Sequence, residues 1–215
     1  MKKIVLLGDS IRMQYDKYVK TALEGAAEVY YPPENCKFVQ YIMRFIGDWK
    51  RDGNWPSDID LVHWNVGLWD VIELDGEGPI TSLEYYTEAI ARVNRRLRRI
   101  FPSAKIVFAT STSVVERGYK SPNFKRTNSI IEQFNEAAKA ALANTDTIIN
   151  DLYTKTLNIP EEFRSDMTHF NTPLGTEYMG KSVLSVICRE LGISKTEVNL
   201  EDFEPEKYSK ENIGK

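Results

Sequence analysis

The chain has 215 residues, and 28 Lys and Arg stand against 31 Asp and Glu for a net charge of −3. A chain of this size fits one domain whose core needs no disulfide or metal staple, and its near-balanced charge supplies no field to hold a polyanion, which argues against nucleic acid as a partner. Two separated cysteines, Cys36 and Cys188, form no CxxC pair and fit a reducing compartment, while His63 and His169 are the only histidines.

Taken in order, the first apolar run is Ile4 to Leu7, too short for the apolar segment of a signal peptide. No run approaches the roughly 20 apolar residues that span a bilayer, so the expectation is a cytoplasmic protein with no membrane partner. Gly8-Asp9-Ser10 then turns into a helical pattern over 11–24. Ala27 to Tyr31 reads as the second strand, followed by a helix over 36–50, and Ile59 to Trp64 reads as the third. Thr81 with Glu84 has the form of a capping box for a helix over 82–101, where Ile90, Val93, Leu97 and Ile100 keep helical spacing and Pro102 ends it. Lys105 to Ala109 and Thr147 to Asp151 supply two more strands, with helices over 124–143 and 173–191. Thr172 and Pro173 resemble an N-cap and first-turn proline for the last helix.

Strand alternating with helix is the pattern of a parallel sheet covered on both faces, here a single-domain three-layer α/β/α sandwich with five parallel strands. The domain is expected over 1–194, with a polar surface tail over 195–215. Arg92, Arg95, Arg96, Arg98 and Arg99 lie opposite the apolar stripe of the third helix and read as a solvated face.

Such sheets bind ligands beyond the carboxyl ends of their strands. Ser10 falls there, on a turn beside free backbone N–H groups at a helix start, a placement that suits an acyl-transfer nucleophile; the plain alternative is Asp9 or Ser10 serving only as an N-cap. A serine needs a base. His169 stands three residues after Asp166, which can orient one ring nitrogen while the other faces the serine; an incidental acidic neighbour is the competing account. His63, inside a strand, reads as a packed imidazole. At the end of that strand, Asn65 can donate its amide to an oxyanion and Gly67 lets the backbone turn, although a structural turn explains both equally well.

Trp55, Trp64, Trp69, Tyr30 and Tyr31 lie near the same edge, where aromatic walls suit sugar faces or acyl chains and where ordinary packing also places them. The loops over 66–81, 111–123 and 153–171 are long enough to shape a pocket. Asp9, Gly67, Trp69 and Asp70 are expected to support or line it, and Arg126 to point into it and hold an anionic substrate group.

Gly8-Asp9-Ser10-Ile11, Asn65, and Asp166 with His169, in that order across nearly the whole chain, resemble the SGNH hydrolases, also called the GDSL esterase and lipase family. The resemblance implies a flavodoxin-like fold, Ser10 as nucleophile and oxyanion donor, Asn65 as a second donor, His169 as base, Asp166 as its partner, and no cofactor or metal. Cys36 occupies the place of a family glycine whose N–H is a third oxyanion donor, and His63 replaces a glycine that often precedes the asparagine by two. The implied activity is hydrolysis of a small-molecule ester through an acyl-enzyme, with an O-acetylated sugar as the preferred substrate class. Alternatives are a thioesterase or lysophospholipase acting on longer chains, a cysteine hydrolase using Cys36, and a non-catalytic small-ligand module. The oligomeric state is not read from the sequence.

Overall fold

The computed structural model describes residues 1–121 and 123–200. In chain order the elements are β1 (Lys2–Leu7), α1 (Ser10–Ala22), β2 (Ala27–Tyr30), α2 (Val39–Asp52), β3 (Leu61–Asn65), β4 (Glu73–Leu74), α3 (Leu83–Ile100), β5 (Lys105–Ala109), β6 (Phe124–Lys125), α4 (Asn128–Leu142), β7 (Ile148–Asn150), α5 (Leu152–Leu157) and α6 (Pro173–Leu191). The main sheet is parallel in the order β2-β1-β3-β5-β7. Order reverses at β1, because the chain runs outward to β2 and then returns to place β3 on the other side. The crevice of such a sheet opens between the carboxyl ends of β1 and β3, where Ser10 and Asn65 stand.

Helices on both faces leave the central strands no contact with water, so they read as continuous apolar runs. Every residue of β3 is buried, and Trp64 meets Phe108 edge to face across the β3–β5 pair, ring centroids 4.8 Å apart.

Two helix starts fall later than the pattern predicts. Asn35 Oδ1 accepts the Lys37 N–H at 2.8 Å and Lys37 sits at φ 48°, a left-handed turn that no α-helix continues through, so α2 opens at Val39. Phe124 and Lys125 instead pair antiparallel with Glu73 and Leu74, which delays α4 to Asn128. The cap of α3 is Ser82, whose hydroxyl accepts from Tyr85 N; the Thr81–Glu84 box does not form, because the Thr81 hydroxyl donates to Asp70 instead. Thr172 caps α6 as expected, with Pro173 in its first turn. From 194 to 200 the chain runs back to α1, where Thr196 donates both its N–H and its hydroxyl to the Ala22 carbonyl. The rest of the expected tail, 201–215, lies outside the described residues.

Candidate active site

The turn after β1 decides where Ser10 points. Asp9 is the N-cap of α1 and accepts the Ile11 N–H at 3.0 Å, which leaves the Ser10 hydroxyl uncommitted to capping. Ser10 is the first residue of the helix, so its own N–H has no intrahelical acceptor. Gly8 has no room for a side chain, since a Cβ there would lie 2.1 Å from Asn65 Oδ1 and 2.7 Å from Arg12 Cβ. The absence of that carbon lets the end of β3 close against the turn.

His169 reaches Ser10 from the loop before α6. Its Nε2 lies 2.9 Å from Ser10 Oγ, and its Nδ1 lies 2.8 Å from Asp166 Oδ2 and 3.0 Å from Oδ1. A carboxylate can only accept, so Nδ1 carries the ring proton and Nε2 of the neutral imidazole accepts from the serine hydroxyl. Asp166 Oδ1 also accepts the N–H groups of Thr168 and His169, at 2.7 and 2.8 Å. Burial pushes the Asp166 carboxyl up, but its bond to the His169 ring and those N–H donors outweigh burial and hold it well below the usual carboxylate range.

Other contacts that the sequence did not signal fix this loop. Gln14, one turn beyond Ser10 on the same helix face, accepts the Phe170 N–H at 2.7 Å. The Val115 N–H donates to the Met167 carbonyl at 2.8 Å, and the hydroxyls of Tyr119 and Thr168 meet at 2.7 Å. Arg164, stacked over Phe170, ties the loop start to the Ser113 and Thr156 carbonyls.

Asn65 is buried, and its Nδ2 donates one hydrogen to Asp9 Oδ1 at 2.9 Å. The amide's second hydrogen has no acceptor among the described residues. Cys36 corrects the expectation of a third donor: its N–H is spent on the Gly8 carbonyl at 3.1 Å, and its Sγ accepts the Gly8 N–H at 3.4 Å. The thiol is fully buried, and burial pushes it up to about 11, so it is no nucleophile for His169 either. Cys36 is a clamp on the turn that carries Ser10.

Asp70 is likewise withdrawn from the pocket. It is buried, takes the Thr81 hydroxyl at 2.9 Å, and faces the N–H of Val39 at 3.3 Å, standing in for the side-chain cap that Phe38 cannot give α2. Burial raises it to about 7. Gly67 sits at φ 137° beneath the site, where a Cβ would lie 2.3 Å from Ser111 Oγ. His63 is packed as expected: its Nε2 lies 3.2 Å from Asn150 Nδ2, and burial lowers it to about 3.

Beside Ser10 and His169 lies a cavity of about 400 Å³ walled by Trp69, Ile72, Tyr119, Phe124 and Met167, with Lys120 and Arg126 also reaching it. Of the five aromatic residues singled out near this edge, only Trp69 lines it; Trp64 and Trp55 are in the core, and Tyr31 lies against Arg12 and Lys20. The small β4–β6 ribbon holds Ile72 and Phe124 over the site. Its two-residue strands carry no periodicity that could have announced them.

Solved structures share this architecture. The lipase/acylhydrolase from Enterococcus faecalis superposes with a TM-score of 0.68 at 19% identity, covering 92% of this chain and all of its own. An acetyl xylan esterase gives 0.68 at 17%, covering 86% and 99%. A GDSL-like lipase from Bacteroides thetaiotaomicron gives 0.62 at 16%, covering 87% and 88%. No family model matches the sequence, and no curated protein does. The chain therefore has the α/β fold of the GDSL-like, or SGNH, hydrolases that its ordered residues resemble.

Proposed function

We propose that this protein is a serine carboxylic ester hydrolase. The observation that carries the reading is the unbroken hydrogen-bonded chain from Ser10 through His169 to Asp166, opening on a cavity. Ser10 Oγ attacks the ester carbonyl as its proton passes to His169 Nε2, and Asp166 stabilises the resulting imidazolium. In this reading the oxyanion rests on the Ser10 N–H, which has no intrahelical acceptor, and on the uncommitted hydrogen of the Asn65 amide. His169 then protonates the departing alcohol, leaving acyl-Ser10. It next takes a proton from water as water attacks, and collapse of the second oxyanion releases the acid and returns the proton to Ser10.

A neighbour of this fold is an acetyl xylan esterase, and Trp69 lines the cavity with an aromatic ring of the kind that sugar rings pack against; both support an O-acetyl or other short-chain ester of a carbohydrate. A second reading, a thioesterase or lysophospholipase taking a longer acyl chain, is favoured by the apolar walls of Ile72, Phe124 and Met167. A series of p-nitrophenyl esters separates the two: kcat/KM falling beyond butyrate supports the first, and rising toward octanoate supports the second. Hydrolysis itself is tested with p-nitrophenyl acetate. The wild type is expected to exceed Ser10→Ala by at least about a thousandfold, and equal rates would leave a ligand-binding module instead.

A further inference from the structure

Arginine side chains buried in a protein ordinarily meet a carboxylate, because an unpaired buried charge costs several kcal/mol. Arg12, 1% exposed, obeys this: its Nη1 pairs with Asp16 at 2.5 Å. Arg126 does not. It is 7% exposed, its Nε donates to the Leu68 carbonyl at 2.5 Å, and its Nη1 reaches the Tyr119 hydroxyl at 3.4 Å. No carboxylate lies within 4.0 Å of it among the described residues, and its Nη2 has no acceptor there. The side chain borders the same cavity as Ser10 and His169.

The other charges around that cavity sharpen the point. Lys120 stands in its wall, exposed and without an ion pair among the described residues. Among the described residues the one carboxylate that lines the cavity, Asp166, is already spent on His169 and two N–H groups. The remaining walls are largely apolar. Buried Asp9 feels Arg126 only through space and is itself taken up by the Ile11 N–H and the Asn65 amide. Among the described residues no carboxylate therefore contacts either cation, and in a partly desolvated space an ionic contact is worth more than it would be in water.

We infer that the ester bound beside Ser10 carries a carboxylate, received by Arg126 and Lys120. This rests on the ester-hydrolase reading and narrows it: the charge belongs to the alcohol part, as in an acetylated acidic sugar, or to the far end of the acyl part. Arg126 is then a specificity-determining residue, in addition to tying the β3–α3 loop to the segment before α4 through Leu68 and Tyr119. A purely structural role would affect charged and neutral substrates alike.

Two matched pairs of esters test this. 4-Acetoxybenzoate against its methyl ester places the charge on the alcohol side, and mono-p-nitrophenyl adipate against its methyl ester places it on the acyl side. For one pair, the wild type is expected to favour the anion by about tenfold or more in kcat/KM, the equivalent of one lost or gained charge contact of modest strength. Arg126→Gln should collapse that ratio to near one, Arg126→Lys should restore part of it, and Lys120→Gln, an exposed change that leaves the Leu68 bond intact, should reduce it severalfold. No anion preference in either pair, or ratios unmoved in Arg126→Gln and Lys120→Gln, overturns the inference. Binding is read separately by calorimetry with 4-acetamidobenzoate, whose amide stands in for the ester. Binding by the wild type, weakened at least about tenfold in Arg126→Gln, upholds the carboxylate site even if no ester is turned over, whereas turnover of neutral esters without such binding overturns the site and leaves the hydrolase standing.

Discussion

Cys36 grips the turn that carries Ser10 from two directions, taking the Gly8 N–H on its sulfur and giving its own N–H to the Gly8 carbonyl. Cys36→Ala strands the Gly8 N–H in the interior. The expected cost is about 1–3 kcal/mol, read as a lower urea midpoint, with a slower kcat because Ser10 loses its fixed position. The native protein's activity should nonetheless survive iodoacetamide, since the Cys36 thiol is buried and held up to about 11; inactivation that tracks alkylation of Cys36, and not of the partly exposed Cys188, would return Cys36 to catalysis. Asp166→Asn tests the other end of the chain of hydrogen bonds. Asparagine can still accept, but it offers no charge to an imidazolium, so kcat should fall by about 10²- to 10⁴-fold with little loss of thermal stability. The pairing of Ser10 with His169 and of His169 with Asp166 was legible because each type of side chain admits few partners. The donors were less so: an N–H is free or spent according to which carbonyl lies opposite, and nothing local to Cys36 reveals that Gly8 is there.

At the scale of elements, the start of α6 and the loop before it behave as one unit. Gly175 is packed so closely that a Cβ would lie 2.1 Å from the Phe163 carbonyl oxygen and 2.5 Å from that of Phe170. Both are backbone atoms, which cannot swing aside as a flexible side chain would. Gly175→Ala should cost about 1–3 kcal/mol, lower Tm by several degrees, and reduce kcat as well, because Phe170 is the residue next to His169. Loss of stability with unchanged kcat would show that the His169 loop is positioned independently of the helix. The glycine is visible in the sequence, yet only the packed structure tells that it is squeezed. The β4–β6 ribbon was hidden for a different reason, since two-residue strands are too short for alternation to register and their pairing joins segments some fifty residues apart.

Across the whole molecule, the alternation of buried strands and half-buried helices is what made the sheet readable, and the reversal of strand order at β1 is what brings Ser10, Asn65 and His169 to one edge. Polar residues inside this frame set how stability responds to pH. Asp70 is raised to about 7 by burial, against 3.8 for an ordinary aspartate. The folded state therefore binds a proton more tightly than the unfolded chain does. Its contribution to stability is fully present below about pH 4 and is lost as pH rises through about 7, on the order of a few kcal/mol. Asp70→Asn removes that titration while keeping an acceptor for Thr81. Between pH 5 and 8 the wild type should lose stability relative to Asp70→Asn in urea titrations, and parallel curves would mean that the folded carboxyl titrates normally.

The central claim is that Ser10 is an activated nucleophile, and covalent labelling tests it most directly. Treated with a fluorophosphonate and digested, the wild type should carry the adduct on the peptide containing Ser10, and His169→Ala should label at least about a hundredfold more slowly because the serine has lost its base. Absence of the adduct, or its appearance on another residue at an undiminished rate in Ser10→Ala, would contradict the account.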